Sequence, residues 1–566
     1  MTFTTIFRMK FRLPSILLAA FLCCVSCVET NYELGGSLIP VDQTYKIYRD
    51  TIFFTGENAA AVSSRMADSL SGYSNTRITI GAIRDEFGRL ATRSCALTLV
   101  PMYDSVLNLG TSPQFKSFDF VSLIDSVSVA DLGQENILQN VRIYELSKPL
   151  DNAKDYDCNG KIGHGTELLT KGMPVIDGSG NLEFAFNEEF GKRFLELKDS
   201  DVHDMETYLQ KFPGVYIETD APSGRGGRIN IFELQIAYDS EYGLQGNFAK
   251  LQFKSEYDGV LKDTSVLFYF SALDFYDLDS LFNNTKKGNF PQYCLNLTTQ
   301  ESASLSGPSR KKIYSEGGGG LKPVVSAKAL KDIVYDIVSS RGGDPKGTVI
   351  NKASLVFPYE YDPQRYKEGY KMPQMMSPTC RLSTDSTTVY MGLTDASSED
   401  ENQGDIDRSN LRYAPDITYH MQELVKMDDE VLETGRYDIW LLTMANEVVV
   451  TSNATNNEMN EYYQYLAYQQ YYNSMYGGYG GYGGYGGYGG YGGYGGYGGY
   501  GGYGGYGYGY GNYYSYMMAS MYANASSTTT SMSLQLDKDR YYWAELNGPD
   551  SANPPMLILT YSIPNK

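Results

Sequence analysis

The sequence predicts a mainly β protein made of two antiparallel β-sandwich, jelly-roll-like domains, with a few short helices and one disordered loop rich in Gly and Tyr. Short β-branched and aromatic runs recur along the chain between Gly, Asn, Asp and Pro, as is typical of antiparallel sandwiches. The chain has 566 residues, more than one hydrophobic core usually serves, which favours two domains. From Tyr476 to Tyr506 the triplet Tyr-Gly-Gly repeats without interruption, which predicts the loop.

The N-terminal segment has the layout of an export signal. Three basic residues precede an apolar run over residues 16–25, which is shorter than the roughly 20 residues needed to cross a bilayer. Small residues then lead to Cys27, a pattern similar to a bacterial lipobox, in which the cysteine is acylated, as with palmitate, and becomes the new N-terminus. We predict a signal peptide at 1–26, lipidation of Cys27 and a lipid-anchored tether at 27–45. A plain secretory signal is the alternative.

The first predicted sandwich spans residues 46–245. Runs such as RINIFELQIAY combine β-branched and aromatic residues and are expected to be its strands. One helix interrupts them at NEEFGKRFLEL, where Phe190 and Phe194 lie four residues apart and would share a helix face.

Residues 246–340 form a predicted hairpin and linker region between the two sandwiches. The hairpin is expected at AKLQFKSEYDGVLKDTSVLFYF. A Gly-rich link, SEGGGGLKPVVS, then leads into a helical pattern at AKALKDIVYDIV.

The second predicted sandwich spans residues 341–566 and repeats the plan of the first: strands, a short helix at PDITYHMQELVKM, a Gly-led strand, and a last strand ending in an aromatic residue. Duplication of one sandwich explains the repeat, and independent origin is the alternative. A disordered Tyr-Gly-Gly insertion at about 452–530 interrupts this domain, because glycine has no side chain to bury and loses much backbone entropy on ordering. Sandwich loops tolerate such insertions, since closure entropy grows only with the logarithm of loop length.

After Cys27 the chain contains, in this order, ELGGSLIP, DTI, IDSVSV, VRIYELSKPL, YDCN, FAFNEEFGKRFLEL, FPGVYIET, GGGGLKPVV, NKASLVFP and NPPMLILTYS. Together these segments resemble the Bacteroidota lipoproteins grouped as the domain of unknown function 4270 family. The resemblance covers nearly the whole chain after Cys27 except the Tyr-Gly-Gly insertion, and the order of the segments carries it. It implies an outer-membrane lipoprotein and transfers no catalytic residue.

The charge balance bears on the choice of partner. Lys and Arg number 47 against 67 Asp and Glu, for a formal net charge of -20. Such a field repels phosphate backbones. We therefore expect no nucleic acid partner.

The sequence shows no motif for catalysis or cofactor binding. His164, His203 and His420 lack a second His or Glu at helical metal-ligand spacing, and neither a nucleophile elbow nor a phosphate-binding loop is present. We expect no catalytic residue, no cofactor and no enzyme activity, and we expect His420 to pack or to be exposed. A hydrolase with paired carboxylates would carry no local motif and would need a pocket.

One segment, DYDCNGKIGHGTE, is a candidate metal site. Asp155, Asp157 and Asn159 are spaced like the first half of a calcium loop. Thr166 stands where the bidentate Glu should close the coordination shell. A turn on Asn159 and Gly160 therefore explains the segment better than calcium does.

The cysteines beyond the tether are widely spaced and show no close pair of the kind that binds zinc. An oxidising compartment would permit disulfides. We predict instead that these residues are buried free thiols: Cys95, Cys158, Cys294 and Cys380.

These features predict a noncatalytic, lipid-anchored outer-membrane lipoprotein that acts as a docking or accessory subunit of an outer-membrane protein complex. Its expected partners are the outer membrane, through the lipid, and an outer-membrane protein. The resemblance to the family implies display on the cell exterior rather than a periplasmic position, because acidic residues after the lipidated cysteine, here Glu29 and Glu33, are associated with surface display in that phylum. A surface glycan-binding or adhesive module is the alternative, because Tyr is abundant. Against it, Trp440 and Trp543 lie in strand-like runs where core packing explains them.

Overall fold

The computed structural model describes residues 44–565, apart from several short segments and two long ones. The segments left out are 68–69, 75–76, 104–105, 132, 152–155, 235, 240–242, 271–293, 309, 364–371, 384–387, 398–401 and 454–526. The fold is mainly β, with antiparallel sheets and a few short helices, as predicted. In the described part of the chain, no helix is long and apolar enough to span a membrane.

The first sandwich consists of a ten-stranded and a five-stranded sheet. The larger sheet contains β3 (Tyr73–Ser74), β4 (Arg77–Arg84), β5 (Leu90–Leu97), β8 (Ile124–Val129), β9 (Gln139–Leu146), β10 (His164–Leu168), β11 (Val175–Ile176), β13 (Val215–Thr219), β14 (Gly226–Glu233) and β19 (Cys294–Gln300). The smaller sheet contains β6 (Leu99–Met102), β7 (Thr111–Ser122), β12 (Leu182–Ala185), β17 (Phe248–Tyr257) and β18 (Val260–Phe270). A separate hairpin pairs β15 (Ile236–Asp239) with β16 (Gly243–Gly246).

The second sandwich has a five-stranded and a six-stranded sheet. The first contains β1 (Tyr45–Phe53), β22 (Val349–Pro358), β25 (Ile406–Asp407), β26 (Arg412–Tyr413) and β30 (Met556–Pro564). The other contains β2 (Val62–Met66), β21 (Leu321–Val325), β23 (Met375–Ser383), β24 (Thr388–Gly392), β27 (Ile439–Asn453) and β28 (Ser527–Leu536). A two-stranded sheet pairs β20 (Lys312–Glu316) with β29 (Trp543–Asn547).

Short helices pack against both sandwiches. They are α1 (Glu188–Leu195), α2 (Asp199–Val202), α3 (Met205–Lys211), α4 (Ala327–Ser340), α5 (Thr418–Leu424) and α6 (Asp429–Leu432), with 3-10 turns at Gly56–Ala61, Ala303–Leu305, Pro345–Gly347 and Thr394–Ser397. The helices predicted from apolar spacing are present as α1, α4 and α5. In α1, the side chain of Asn187 accepts a hydrogen bond from the Phe190 backbone N–H at 2.8 Å, which caps the helix N-terminus.

Each sandwich encloses its own hydrophobic core. The first core is rich in phenylalanine: the Phe118 ring lies 4.8 Å from that of Phe186 and 5.0 Å from that of Phe268. The second core lies between the two sheets of its sandwich and includes the buried faces of α4 and α5. Two large cores agree with the expectation from chain length.

Along the chain, the strands of the first sandwich are inserted between two groups of strands that form the second sandwich. Strand β1 pairs with β30 at nine positions, from Tyr45 opposite Pro564 to Phe53 opposite Met556, and β2 pairs with β21. Strands β17, β18 and β19 belong to the first sandwich. These memberships differ from the predicted spans, in which β1 and β2 fell within 46–245 and β17 to β19 within 246–340. Pairing in a sheet depends on tertiary contacts, which sequence order does not specify.

The predicted duplication of one sandwich stays a prediction. Strand β14 lies between β4 and β8, and β30 lies between β1 and β22, each in antiparallel pairing on both sides. Strand β30 is the last strand of the second sandwich, whereas β17 to β19 follow β14 in the first.

The Tyr-Gly-Gly insertion emerges from a two-stranded ribbon. Strands β27 and β28 pair from Met444 opposite Leu536 to Asn453 opposite Ser527. Within β27, only the residues up to Met444 pair with β23. The tract itself, and its predicted disorder, lie outside the described residues.

Candidate functional site

A group of buried charges lies between the two sandwiches in the described structure. We call this group the inter-sandwich seam; it comprises Arg93 on β5, residues 316–322 and residues 537–540. A buried ion costs several kcal/mol unless it is paired and hydrogen-bonded. The partners of each charge therefore decide what the seam does.

Lys538 joins the second sandwich to the first. Its Nζ donates to the carbonyl oxygens of Ser71 at 2.7 Å and Tyr73 at 2.5 Å, at the start of β3. The side chain is buried. The ammonium thus satisfies backbone acceptors of the other sandwich.

The neighbouring Asp537 is buried but well supplied with donors. It accepts from Arg540 Nη1 at 2.8 Å and from the Tyr542 hydroxyl at 2.6 Å. Burial disfavours its ionised form, but the Arg540 charge and these hydrogen bonds outweigh it and hold the pKa of Asp537 below its usual value. Asp537 is therefore a structural anion.

Arg93 reaches the same segment from the first sandwich. Only 1% of the residue is exposed, and its Nε donates to the Asp539 carbonyl at 3.2 Å. Burial lowers the pKa of Arg93, and the nearby Asp539 and Asp537 carboxylates oppose that effect. Lys538 and Arg93 thus cross the seam in opposite directions.

The glycines of SEGGGGLKPVVS lie in the seam and are close-packed, although the sequence suggested a linker. All four residues, 317–320, are buried. A Cβ on Gly317 would lie 2.2 Å from the Arg540 carbonyl oxygen, and one on Gly319 would lie 2.1 Å from Asn159 Oδ1. Glycine is needed there because both sandwiches approach the backbone closely.

Two buried charges flank these glycines. Glu316 Oε2 accepts from Ser302 Oγ at 2.6 Å and from the Leu321 backbone N–H at 2.8 Å. Lys322 Nζ donates to the Glu316 carbonyl. Burial raises the pKa of Glu316 and lowers the pKa of Lys322 to about 8. The hydrogen bonds of both groups hold the glycine turn in place.

The candidate calcium ligands lie in part at this seam. Asp157 Oδ1 accepts from the Asn159 backbone N–H at 2.9 Å, which forms the turn that the sequence favoured over calcium. Asn159 Nδ2 donates to the Gly319 carbonyl at 3.1 Å, and its Oδ1 accepts from Thr298 Oγ1 at 3.0 Å. Asp155 lies outside the described residues. Within the described ranges, no three His, Cys, Asp or Glu side chains are grouped to hold a metal.

The histidines occupy separate places. His420 is buried and its Nε2 lies 3.1 Å from the Tyr437 carbonyl. The His164 ring stacks on Tyr144 at 4.8 Å and on Tyr216 at 4.4 Å. His203 lies on the surface beside Asp199 at 2.8 Å. Of the two alternatives expected for His420, packing and exposure, the structure shows packing.

The predicted thiols and tryptophans are also in place. The four cysteines are free and buried: Cys95, Cys158, Cys294 and Cys380. Trp440 is 3% exposed and Trp543 is 4% exposed, so both pack as expected. Arg89 lies over the Trp543 ring, 3.4 Å from its centroid. Cys27, the predicted lipidation site, lies outside the described residues.

A small depression lies beside α1, lined by Leu99, Glu145, Phe190, Phe194, Phe212, Gly214 and Val215. It is partly open to solvent and has essentially no interior space that a water molecule could occupy. Ligand sites usually hold about 300–1,000 Å³. This depression is therefore a gap between phenylalanine rings rather than a substrate pocket.

Sequence reasoning missed the seam. Its signals were four consecutive charged residues at 537–540 before a strand and four consecutive glycines at 317–320. Neither signal identifies its partners without the fold. Comparisons with protein-family models, with curated proteins and with solved structures found no match to the chain.

Proposed function

We propose that the protein is a noncatalytic, lipid-anchored outer-membrane lipoprotein, displayed on the cell exterior, that docks on an outer-membrane protein. One observation carries the anchor: the basic and apolar N-terminal segment that ends in small residues and Cys27. Two or three acyl chains would hold the protein on the membrane durably. The tether at 27–45 would then lead directly into β1 of the second sandwich.

The docking role is supported by how the charged groups are used. The buried Lys538 and Arg93 join the two sandwiches, and Asp537 holds Arg540 of its own segment in place. The outer surfaces of the sandwiches would then make the contact with the partner protein. The segments that resemble the domain of unknown function 4270 family, taken in their order along the chain, support the same proposal.

Mass spectrometry and fractionation test the anchor. The intact protein purified from membranes should carry diacylglycerol on Cys27 and begin at that residue. Cys27→Ser should move the protein out of the membrane fraction and leave the fold unchanged, because the described fold begins at Thr44. An unmodified Cys27 in the membrane-bound protein would refute the anchor.

Purification in mild detergent tests docking. A second outer-membrane protein should be recovered with the tagged lipoprotein in stoichiometric amount. Recovery of the lipoprotein alone would contradict the docking role and favour the alternative, a glycan-binding or adhesive module.

A further inference from the structure

Among the described residues, strand β1 has a partner strand on one side only and so presents a long open edge. It is the outer strand of its sheet, nine residues long, and it pairs with β30 at every position without a bulge. The strands at the ends of the other large sheets are shorter: β8 has six residues, β2, β10 and β24 have five, and β6 and β12 have four. Strand β28, which pairs with β27 alone among the described strands, has ten residues. Short strands limit unwanted pairing, and β1 lacks that protection.

The hydrogen bonds at the two ends of β1 show which backbone groups face outward. The Phe54 N–H donates to the Pro555 carbonyl at 2.9 Å, and the Asn565 N–H donates to the Thr44 carbonyl at 2.8 Å. Paired residues of antiparallel strands exchange hydrogen bonds at alternate positions. Even-numbered residues of β1 therefore bond to β30, and odd-numbered residues point their N–H and C=O groups to the open edge.

The side chains of the two sets also differ. Even-numbered residues hold the strand in place: Asp50 pairs with Arg341 at 2.8 Å, and the Tyr48 ring stacks on Tyr561 at 5.7 Å. Odd-numbered residues are exposed, including Ile47 at 70%. The others are Tyr45, Arg49, Thr51 and Phe53.

We propose that the open edge of β1 accepts an extended strand from a partner polypeptide. This inference rests on the proposed docking function and names the surface that would perform it. Strand addition uses backbone hydrogen bonds for affinity and alternate side chains for specificity. The partner strand would place apolar side chains against Ile47 and Phe53 and an acidic side chain opposite Arg49, which makes no ion pair with any described residue.

A second copy of this chain fits the edge poorly. Full-length antiparallel pairing of two β1 strands would place Arg49 opposite Arg49, and like charges directly opposed are destabilising. The net charge of -20 also opposes self-association. A partner strand of different sequence avoids both penalties.

Thr51→Pro tests the edge, because Thr51 is odd-numbered and its N–H points away from β30. Proline would remove that donor and obstruct an added strand while leaving the β30 ladder intact. Thr51→Ala, which keeps the N–H, is the matched control. The full-length lipoprotein would carry a photo-crosslinking residue at Ile47 or, as a control, at Leu138, which is 74% exposed on the first sandwich.

We expect crosslinking from position 47, but not from 138, to a different polypeptide. Thr51→Pro should reduce the yield by about tenfold or more, the effect of losing roughly one ladder hydrogen bond. Thr51→Ala should retain it. In the purified complex, the amides of Ile47, Arg49 and Thr51 should exchange hydrogen more slowly than in the free protein. Arg49→Glu should weaken the complex and Arg49→Lys should preserve it, which keeps the test valid if the proline variant does not fold.

Several results would overturn the inference. Adducts between two copies would identify a homodimer edge, and adducts with lipid would identify a membrane contact. Equal recovery of the partner with Thr51→Pro would refute the edge and leave the docking function standing. Absence of any co-purifying protein from the wild type would refute the docking function itself.

Discussion

Individual residues at the seam show why its charges are structural. Lys538 donates to two backbone carbonyls, and Asp537 accepts from Arg540 and Tyr542. Removing one partner of such a group leaves a buried charge or acceptor unsatisfied, at a cost of about 1–3 kcal/mol. Lys538 therefore helps to fix the relative position of the sandwiches, and Asp537 fixes the local conformation of residues 537–542.

Gly317 is a sharp test of the close approach at the seam. Gly317→Ala should lower the free energy of unfolding by about 1–3 kcal/mol, because the new Cβ meets a backbone carbonyl that cannot rotate away. Urea denaturation measures the loss. Gly172→Ala is the control, since an added Cβ there meets nothing within 4 Å. Equal stability of the two variants would show that the seam is loosely packed.

His420 gives the protein a specific pH dependence. Burial lowers its pKa to about 4, from the ordinary value of 6.5. The unfolded chain therefore binds this proton more readily, so stability is complete above pH 6.5 and falls as the pH drops toward 4. The loss over this range should be roughly 3 kcal/mol.

The variant His420→Gln isolates that contribution. Its amide can still donate to the Tyr437 carbonyl but does not titrate, whereas nearby Asp395 titrates in both proteins. The difference in unfolding free energy between wild type and variant should change over the same pH range. A constant difference across pH would mean that His420 is not desolvated.

At the scale of elements, local pattern predicted well where a single face is buried. The spacing of Phe190 and Phe194 predicted α1, and both side chains are buried. The segments NKASLVFP and NPPMLILTYS form β22 and β30, as their β-branched content indicated. The Gly-rich link was misread, because four glycines have the same composition in a flexible linker and in a crowded turn.

The β27–β28 ribbon allows a test of the Tyr-Gly-Gly tract. Deletion of residues 479–506 should leave the midpoint of thermal unfolding within about 2 °C, because loop closure entropy changes by only about 0.6 kcal/mol per doubling of length. Both ends of the insertion meet at a paired position, Asn453 opposite Ser527. A fall of many degrees would show that the tract packs on the sandwiches.

At the scale of the whole molecule, a fragment that ends at the predicted boundary, residue 245, does not contain all the strands of the first sandwich. A fragment 46–245 lacks β17, which lies between β7 and β18 in the five-stranded sheet. It would expose the Phe118 cluster and should not unfold cooperatively. A fragment 71–302 contains β3 to β19 and should show a cooperative thermal transition by circular dichroism.

Cooperative unfolding of 46–245 would contradict this account of the first sandwich. The comparison is matched, because the two fragments share residues 71–245 and differ in the strands at their ends.

The sequence by itself determined the mainly β class, the presence of two cores, the main helices and the burial of the cysteines and tryptophans. These follow from residue type and local periodicity, which act within a few residues of the chain. Only the tertiary structure decided that the first sandwich is inserted, along the chain, between two parts of the second. It also decided that Asn159 and Gly319 meet and that β1 is an open edge. Such features depend on pairing between distant segments, and a strand carries the same alternation whichever partner it joins.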